Sequence, residues 1–252
     1  MSSQEFYITY DNIRLHAKLD RPQNTEKSPL MIVFHGFTGH MEEKHIIAVS
    51  EAAVAEGIAT LRVDMYGHGK SDGDFREHTI LKWVTGALAV VEYAVKLEFV
   101  TDLYICGHSQ GGFLVMLLAG MRPYDFKAIL PISPGWMVPE YAREGRFLGI
   151  EFDPKRVPDE FTLGELHISG NYVRAAQLLH MEDSIQRYEG PVLIVHGSAD
   201  EMVPVEYARK AAGLYKNCTL EEIPGDTHCF DYHLDKVTAT VGRFLRSMER
   251  GR

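Results

Sequence analysis

Leu103-Tyr104-Ile105-Cys106-Gly107-His108-Ser109-Gln110-Gly111-Gly112 is the stretch on which the fold turns. Its first four residues are the apolar run of a short buried strand. Residues 107–111 fit G-x-S-x-G, and residues 110–121 continue as a small-residue, apolar helix that stops near Pro123. A strand that passes through this pentapeptide into a helix is a nucleophile elbow. The chain reverses so sharply there that the serine must hold a strained backbone. A side chain at either flanking glycine would collide with the neighbouring strand or helix, and Gly112 lets helix and sheet approach closely. Such a turn presents one hydroxyl at the end of a sheet, so Ser109 is the candidate nucleophile.

Working outward, residues 30–35 (LMIVFH), 58–63, 126–131 and 191–196 are short apolar runs of the kind that forms strands buried on both faces. Helical spacing fills residues 42–57, 79–97, 205–215 and 231–248, and residues 219–223 add a last strand. Residues 6–10 and 13–19 alternate around the turn signal Asp11-Asn12 and predict an opening hairpin. Alternating buried strands and helices means parallel βαβ units, a mostly parallel twisted sheet covered on both faces, hence the α/β class.

Residues 133–188 break the rhythm. They carry Pro134, Pro139, Pro154 and Pro158 among Trp136, Tyr141, Phe147, Phe152, Phe161 and Tyr172. A stretch this long without regular order is usually functional or disordered, and its aromatics argue against disorder. We expect residues 1–132 and 189–252 to form the core and residues 133–188 an inserted lid over the sheet's C-terminal edge. The alternative is a structural excursion with a small core of its own.

A serine hydroxyl needs a base within hydrogen-bond reach. Of twelve histidines, His228 lies in residues 224–230 (PGDTHCF), a loop between the last strand and last helix, at the edge where open α/β sheets bind ligands. His108 is confined within the elbow. His16, His40, His45 and His78 come early, and His167, His180 and His233 read as exposed or helical. Asp200, in residues 196–204 (HGSADEMVP), reaches the same edge and can hold the imidazole in the right tautomer. Glu201 is its rival; Asp226 is too near His228 in sequence. The order Ser, Asp, His is the one such elbows use. Oxyanion donors are expected from the N–H groups of Gln110, at a helix start, and Phe37, in residues 35–39 (HGFTG). The glycine-rich residues 64–71 (DMYGHGKS) lack phosphate-loop spacing and read as a structural turn beneath the site. No His/Asp/Glu spacing suggests a metal.

The net charge of −9 argues against a nucleic-acid partner, which needs a clustered basic surface; solubility is the plainer reading of the acidity. No apolar stretch is long enough to span a bilayer, and the first residues lack a basic segment followed by an apolar one, so a cytoplasmic protein without a membrane partner is expected. Cys106, Cys218 and Cys229 form no C-x-x-C pair and read as free thiols, Cys106 a buried one. The expected partner is a small-molecule ester, with no cofactor. A homodimer is left open.

Together HGFTG, DMYGHGKS, GHSQGG, HGSADEMVP and GDTHCF resemble the α/β-hydrolase superfamily over nearly the whole chain. More narrowly, they are similar to cinnamoyl and feruloyl esterases of gut and rumen bacteria. Residues 166–177 (LHISGNYVRAAQ) resemble part of that family's lid. The resemblance implies the α/β-hydrolase fold and serine hydrolysis, through an acyl-enzyme, of hydroxycinnamate esters such as those of ferulate and p-coumarate. It also implies that the lid binds the phenolic ring. Tyr172 matches a lid tyrosine that contacts the ring hydroxyl. Tyr141 stands where some members place an aspartate, a departure from the pattern. Trp136 joins these two as a substrate-binding aromatic, although packing is the plainer role for each. Aromatic linings also suit the acyl chain of a monoacylglycerol lipase or a short-chain carboxylesterase. A non-catalytic ligand-binding relative is a further alternative, opposed by the presence of all three triad residues.

Overall fold

The computed structural model describes residues 2–23 and 25–250. The chain opens as the expected hairpin. β1 (Ser2–Tyr10) pairs antiparallel with β2 (Ile13–Arg21), Tyr10 opposite Ile13. Asp11 and Asn12 take φ of 45° and 61°, the left-handed conformation of tight hairpin turns that these two residue types tolerate. β3 (Ser28–Phe34), α1 (Lys44–Ala55) and β4 (Ala59–Val63) follow. Next come α2 (Ile80–Ala94), β5 (Val100–His108), α3 (Gln110–Met121) and β6 (Phe126–Ile132). Thr79 starts α2 by accepting the Lys82 N–H on its hydroxyl. After the insertion, β11 (Val192–Gly197), α7 (Val205–Leu214), β12 (Cys218–Ile223) and α8 (Leu234–Arg250) complete the chain.

Among the described residues eight strands form one sheet in the order β1-β2-β4-β3-β5-β6-β11-β12. β2 pairs antiparallel with both β1 and β4, and the pairs from β4 to β12 are parallel. β3 shows why its sequence is continuously apolar. Leu30, Ile32 and Phe34 enter the core beneath α2 and α3, while Met31 and Val33 enter the opposite core beneath α1 and α8. Nearly every residue of α3 is buried, because α3 is enclosed between the sheet and the insertion. The strand expected at residues 103–106 extends to Val100–His108, and the helix expected to reach residue 97 ends at Ala94.

Residues 133–188 are more regular than their sequence suggests. They hold α4 (Val138–Glu144), the hairpins β7 (Arg146–Phe147)–β8 (Ile150–Glu151) and β9 (Glu160–Leu163)–β10 (Leu166–Ser169), α5 (Asn171–Gln177) and α6 (Met181–Arg187). Each element is too short for a period to show. Ala142, Phe147, Phe161, Ile168, Tyr172, Val173 and Ala176 form a small separate core. Met181, Ile185 and Tyr188 belong to the main one. Cys106, Cys218 and Cys229 are free. Among the described residues no helix is long and apolar enough to cross a membrane.

Candidate active site

Ser109 joins β5 to α3 with φ 56° and ψ −116°, a conformation L-residues rarely adopt. Its neighbours impose it. The Ser109 N–H donates to the Ile132 carbonyl at 2.9 Å, and its carbonyl accepts from Gly135 and Phe113, each at 3.0 Å. A Cβ on Gly107 would lie 2.3 Å from the Gly111 carbonyl group, and one on Gly111 would lie 2.5 Å from the carbonyl oxygens of Phe34 and His35. The glycines are therefore required by backbone approach, as the sequence implied.

His228 and Asp200, far apart in sequence, meet: His228 Nδ1–H donates to Asp200 Oδ2 at 2.6 Å. Asp200 Oδ1 accepts the N–H groups of Met202 and Val203 at 2.9 and 2.8 Å, and His196 Nε2 lies 3.2 Å from Oδ2. Burial alone would raise the Asp200 pKa. Hydrogen bonds from His196, His228 and Val203 and the charge of His228 outweigh it and hold the carboxyl well below the usual range. Asp200 is thus an anion that keeps the His228 proton on Nδ1 and leaves Nε2 as the basic nitrogen. Glu201 is exposed on the cavity rim, and Asp226 is spent on the N–H groups of Thr227, Tyr232 and His233.

Behind His228 lies a histidine chain. His108 Nε2–H donates to the His228 carbonyl at 2.8 Å, so His108 Nδ1 must accept, and it does so from His45 Nε2–H at 3.1 Å. Burial first, then the nearby His228, push His45 down to about 4; burial, His45 and His228 push His108 well below its ordinary value. Both rings are neutral at pH 7. Their donor atoms and Cys229 Sγ all lie within 4.8 Å of one another.

Ser109, His228, Phe37 and Gln110 border one cavity of about 530 Å³. Among the described residues neither the Phe37 nor the Gln110 N–H is spent on a backbone bond. His68 Nε2 meets the Phe37 carbonyl at 2.5 Å. His35 donates to the Gly36 carbonyl at 2.8 Å and accepts the Met65 N–H at 2.9 Å. Asp64 accepts the N–H groups of Met41 and Lys70, and a Cβ on Gly69 would strike its carboxylate at 2.2 Å. Residues 64–71 thus brace the Phe37 loop from beneath. The bracing role of His35 and His68 was not visible in sequence; their glycine-flanked loop positions were the available signal.

The insertion supplies Met137, Val138, Tyr141, Phe147 and Leu148 to the cavity wall. Tyr172 also borders it, yet is 1% exposed and donates its hydroxyl to Gln110 Oε1 at 2.6 Å. That hydroxyl is engaged within the protein rather than offered to the cavity. Tyr141 packs on Tyr207 beneath the Arg146 guanidinium. Trp136 stands apart: it is buried in the main core, donates to the Tyr207 carbonyl at 2.9 Å, and is not among the cavity's bordering residues.

Known proteins resemble this chain over most of its length. Residues 25–159 match the family described as serine aminopeptidase, S33. Est1E from Butyrivibrio proteoclasticus, solved with ferulic acid bound, is 54% identical with a TM-score of 0.96, covering 97% of this chain and 99% of that one. A second Est1E structure is 51% identical over 98% of this chain, with a TM-score of 0.93. The mitochondrial palmitoyl-protein thioesterase ABHD10 of Pongo abelii is 26% identical over 190 residues, 71% of this chain. The match spans only 59% of that thioesterase's length. An elbow serine, a buried Asp–His pair and this agreement over most of the chain lead to one assignment: the chain is a serine hydrolase of the α/β-hydrolase superfamily and belongs to the serine aminopeptidase S33 family.

Proposed function

We propose that the chain is a carboxylic ester hydrolase that forms an acyl-enzyme on Ser109 and releases hydroxycinnamic acids such as ferulate and p-coumarate. The observation that carries this is the 2.6 Å Asp200–His228 bond on the same cavity as the strained Ser109. Ser109 Oγ attacks the ester carbonyl while His228 Nε2 takes its proton. The N–H groups of Phe37 and Gln110 hold the oxyanion. As the carbon–oxygen bond breaks, His228 returns the proton to the leaving alcohol. Water, deprotonated by His228, then attacks the acyl-enzyme and frees the acid and Ser109.

The acyl preference rests on two supports. The cavity wall is largely aromatic and aliphatic, which suits a planar phenylpropenoyl group. The ferulic acid bound to Est1E, more than half identical over nearly the full chain, supports the same class. We further propose that residues 133–188 act as the lid, with Tyr141 and Phe147 facing the ring and Tyr172 contributing only its ring edge.

A fluorophosphonate probe should label wild type and not Ser109→Ala. Labelling that persists in the variant, or fails in folded wild type, removes the mechanism. Turnover of methyl ferulate should exceed that of p-nitrophenyl alkanoates and of aminoacyl anilides. A preference of orders of magnitude for short alkanoates would leave the hydrolase and end the hydroxycinnamate assignment.

A further inference from the structure

Three segments distant in sequence bring metal-binding atoms together beside His228. His45 Nε2 and His108 Nδ1 lie 3.1 Å apart, and with Cys229 Sγ they form a set whose members all lie within 4.8 Å of one another. Glu43 adds an oxygen, its Oε2 being 3.9 Å from His45 Nε2. Around zinc, bonds of about 2.0–2.3 Å in a tetrahedron place neighbouring donors roughly 3.4–3.8 Å apart. The two imidazoles need to part by only a few tenths of an ångström.

The surroundings fit a bound cation as well as the spacing does. Metal-bound histidines usually donate their other ring N–H to a carbonyl or carboxylate. His108 already does so, to the His228 carbonyl, which leaves Nδ1 directed at the site. Glu43, His108 and Cys229 border the active-site cavity, so an ion can arrive from solvent. Two nitrogens, one sulfur and one carboxylate oxygen suit borderline Zn²⁺ over the oxygen-seeking Mg²⁺ or Ca²⁺.

We propose that His45, His108 and Cys229, with Glu43 as fourth donor, form a zinc site on the wall of the active-site cavity, and that the bound ion inhibits hydrolysis. On binding, the Cys229 thiol gives its proton to solvent and its sulfur bonds the metal. The His45 proton moves from Nε2 to Nδ1, so the ring stays neutral, and nothing is oxidised or reduced. The site was hidden in the sequence because its ligands come from α1, the elbow and the loop before α8, with no local spacing to read. Inhibition follows from position. The ion would ligate the residue next to His228 and the ring that holds the His228 carbonyl, and its charge would oppose the imidazolium that His228 must become. That half rests on the ester-hydrolase mechanism; the binding half does not.

The test is calorimetry of Zn²⁺ into the reduced full chain, with Co²⁺ as a spectroscopic stand-in. Wild type should bind one Zn²⁺. His45→Gln, which keeps a donor for His108, and Cys229→Ser should each weaken binding by about 10- to 100-fold or more. The cobalt complex should show a thiolate-to-metal charge-transfer band that Cys229→Ser abolishes. Circular dichroism checks that both variants are folded. Absence of binding, binding equally tight in both variants, or a cobalt complex without that band overturns the site. Zinc bound at this site with turnover unchanged overturns the inhibition.

Discussion

Asp200→Asn tests whether the carboxylate matters as a charge or as a shape. The amide can still accept the Met202 and Val203 N–H groups through its oxygen, so the loop should persist. It can also present an N–H₂ to His228 Nδ1, which forces the imidazole proton onto Nε2, where it blocks the base. Turnover of methyl ferulate should fall about 10⁴-fold with KM little changed. A loss under tenfold would place the acid elsewhere. Tyr172→Phe separates two roles. The lost hydroxyl leaves Gln110 Oε1 buried without its donor, at a cost of about 1–3 kcal/mol, and frees the residue proposed to supply an oxyanion N–H. We expect kcat to fall equally for methyl ferulate and methyl cinnamate, which lacks the ring hydroxyl. A rise in KM for the ferulate ester alone would mean that Tyr172 grips the phenol. The residues of the proposed triad stand out in sequence because each sits in a loop marked by glycine or proline after an apolar run. The Tyr172–Gln110 bond was not, because it forms only where the insertion docks on the elbow.

Among elements, the elbow makes the sharpest demand on sequence. Gly107→Ala would press a methyl group into the Gly111 backbone at 2.3 Å, with no side chain that can move aside. It should destabilise the protein by about 3 kcal/mol or more. Gly213, exposed in α7 with open space around its Cα, is the matched control: Gly213→Ala should stabilise by about 0.5–1 kcal/mol. Urea midpoints of the two variants decide the matter, and a tolerated Gly107→Ala would mean that the turn is looser than its contacts imply. The same contrast explains what could be read from sequence. β3, residues 103–106 of β5 and α3 announce themselves because burial on every side leaves uninterrupted apolar runs. The four short strands of the insertion are two to four residues each, and α4 and α5 are single short helices, so tertiary contact rather than local pattern defines them.

At the scale of the whole molecule, the sheet and insertion enclose neutral histidines whose protonation the fold resists. Burial is the first cause that pushes His35 and His78 down to about 3, from an ordinary value of 6.5. His35 is hydrogen-bonded as a neutral ring between the Gly36 carbonyl and the Met65 N–H. His78 donates to the Phe75 carbonyl at 2.7 Å, beside the Tyr172 ring. Between pH of about 6.5 and about 3 the unfolded chain therefore binds more protons than the folded one. Their contribution is complete above the unfolded value and is lost as pH falls through that window, by up to about 1.4 kcal/mol per pH unit for each proton. Stability from urea unfolding should drop steadily between about pH 7 and about pH 5. In His78→Asn, which keeps a short side chain able to donate to the Phe75 carbonyl, the slope should be shallower by close to one proton. An unchanged slope would mean that this ring takes up its proton in the native state as readily as in the unfolded chain. That outcome would put a cation against the Phe37 and Tyr172 rings, in a place whose burial disfavours charge.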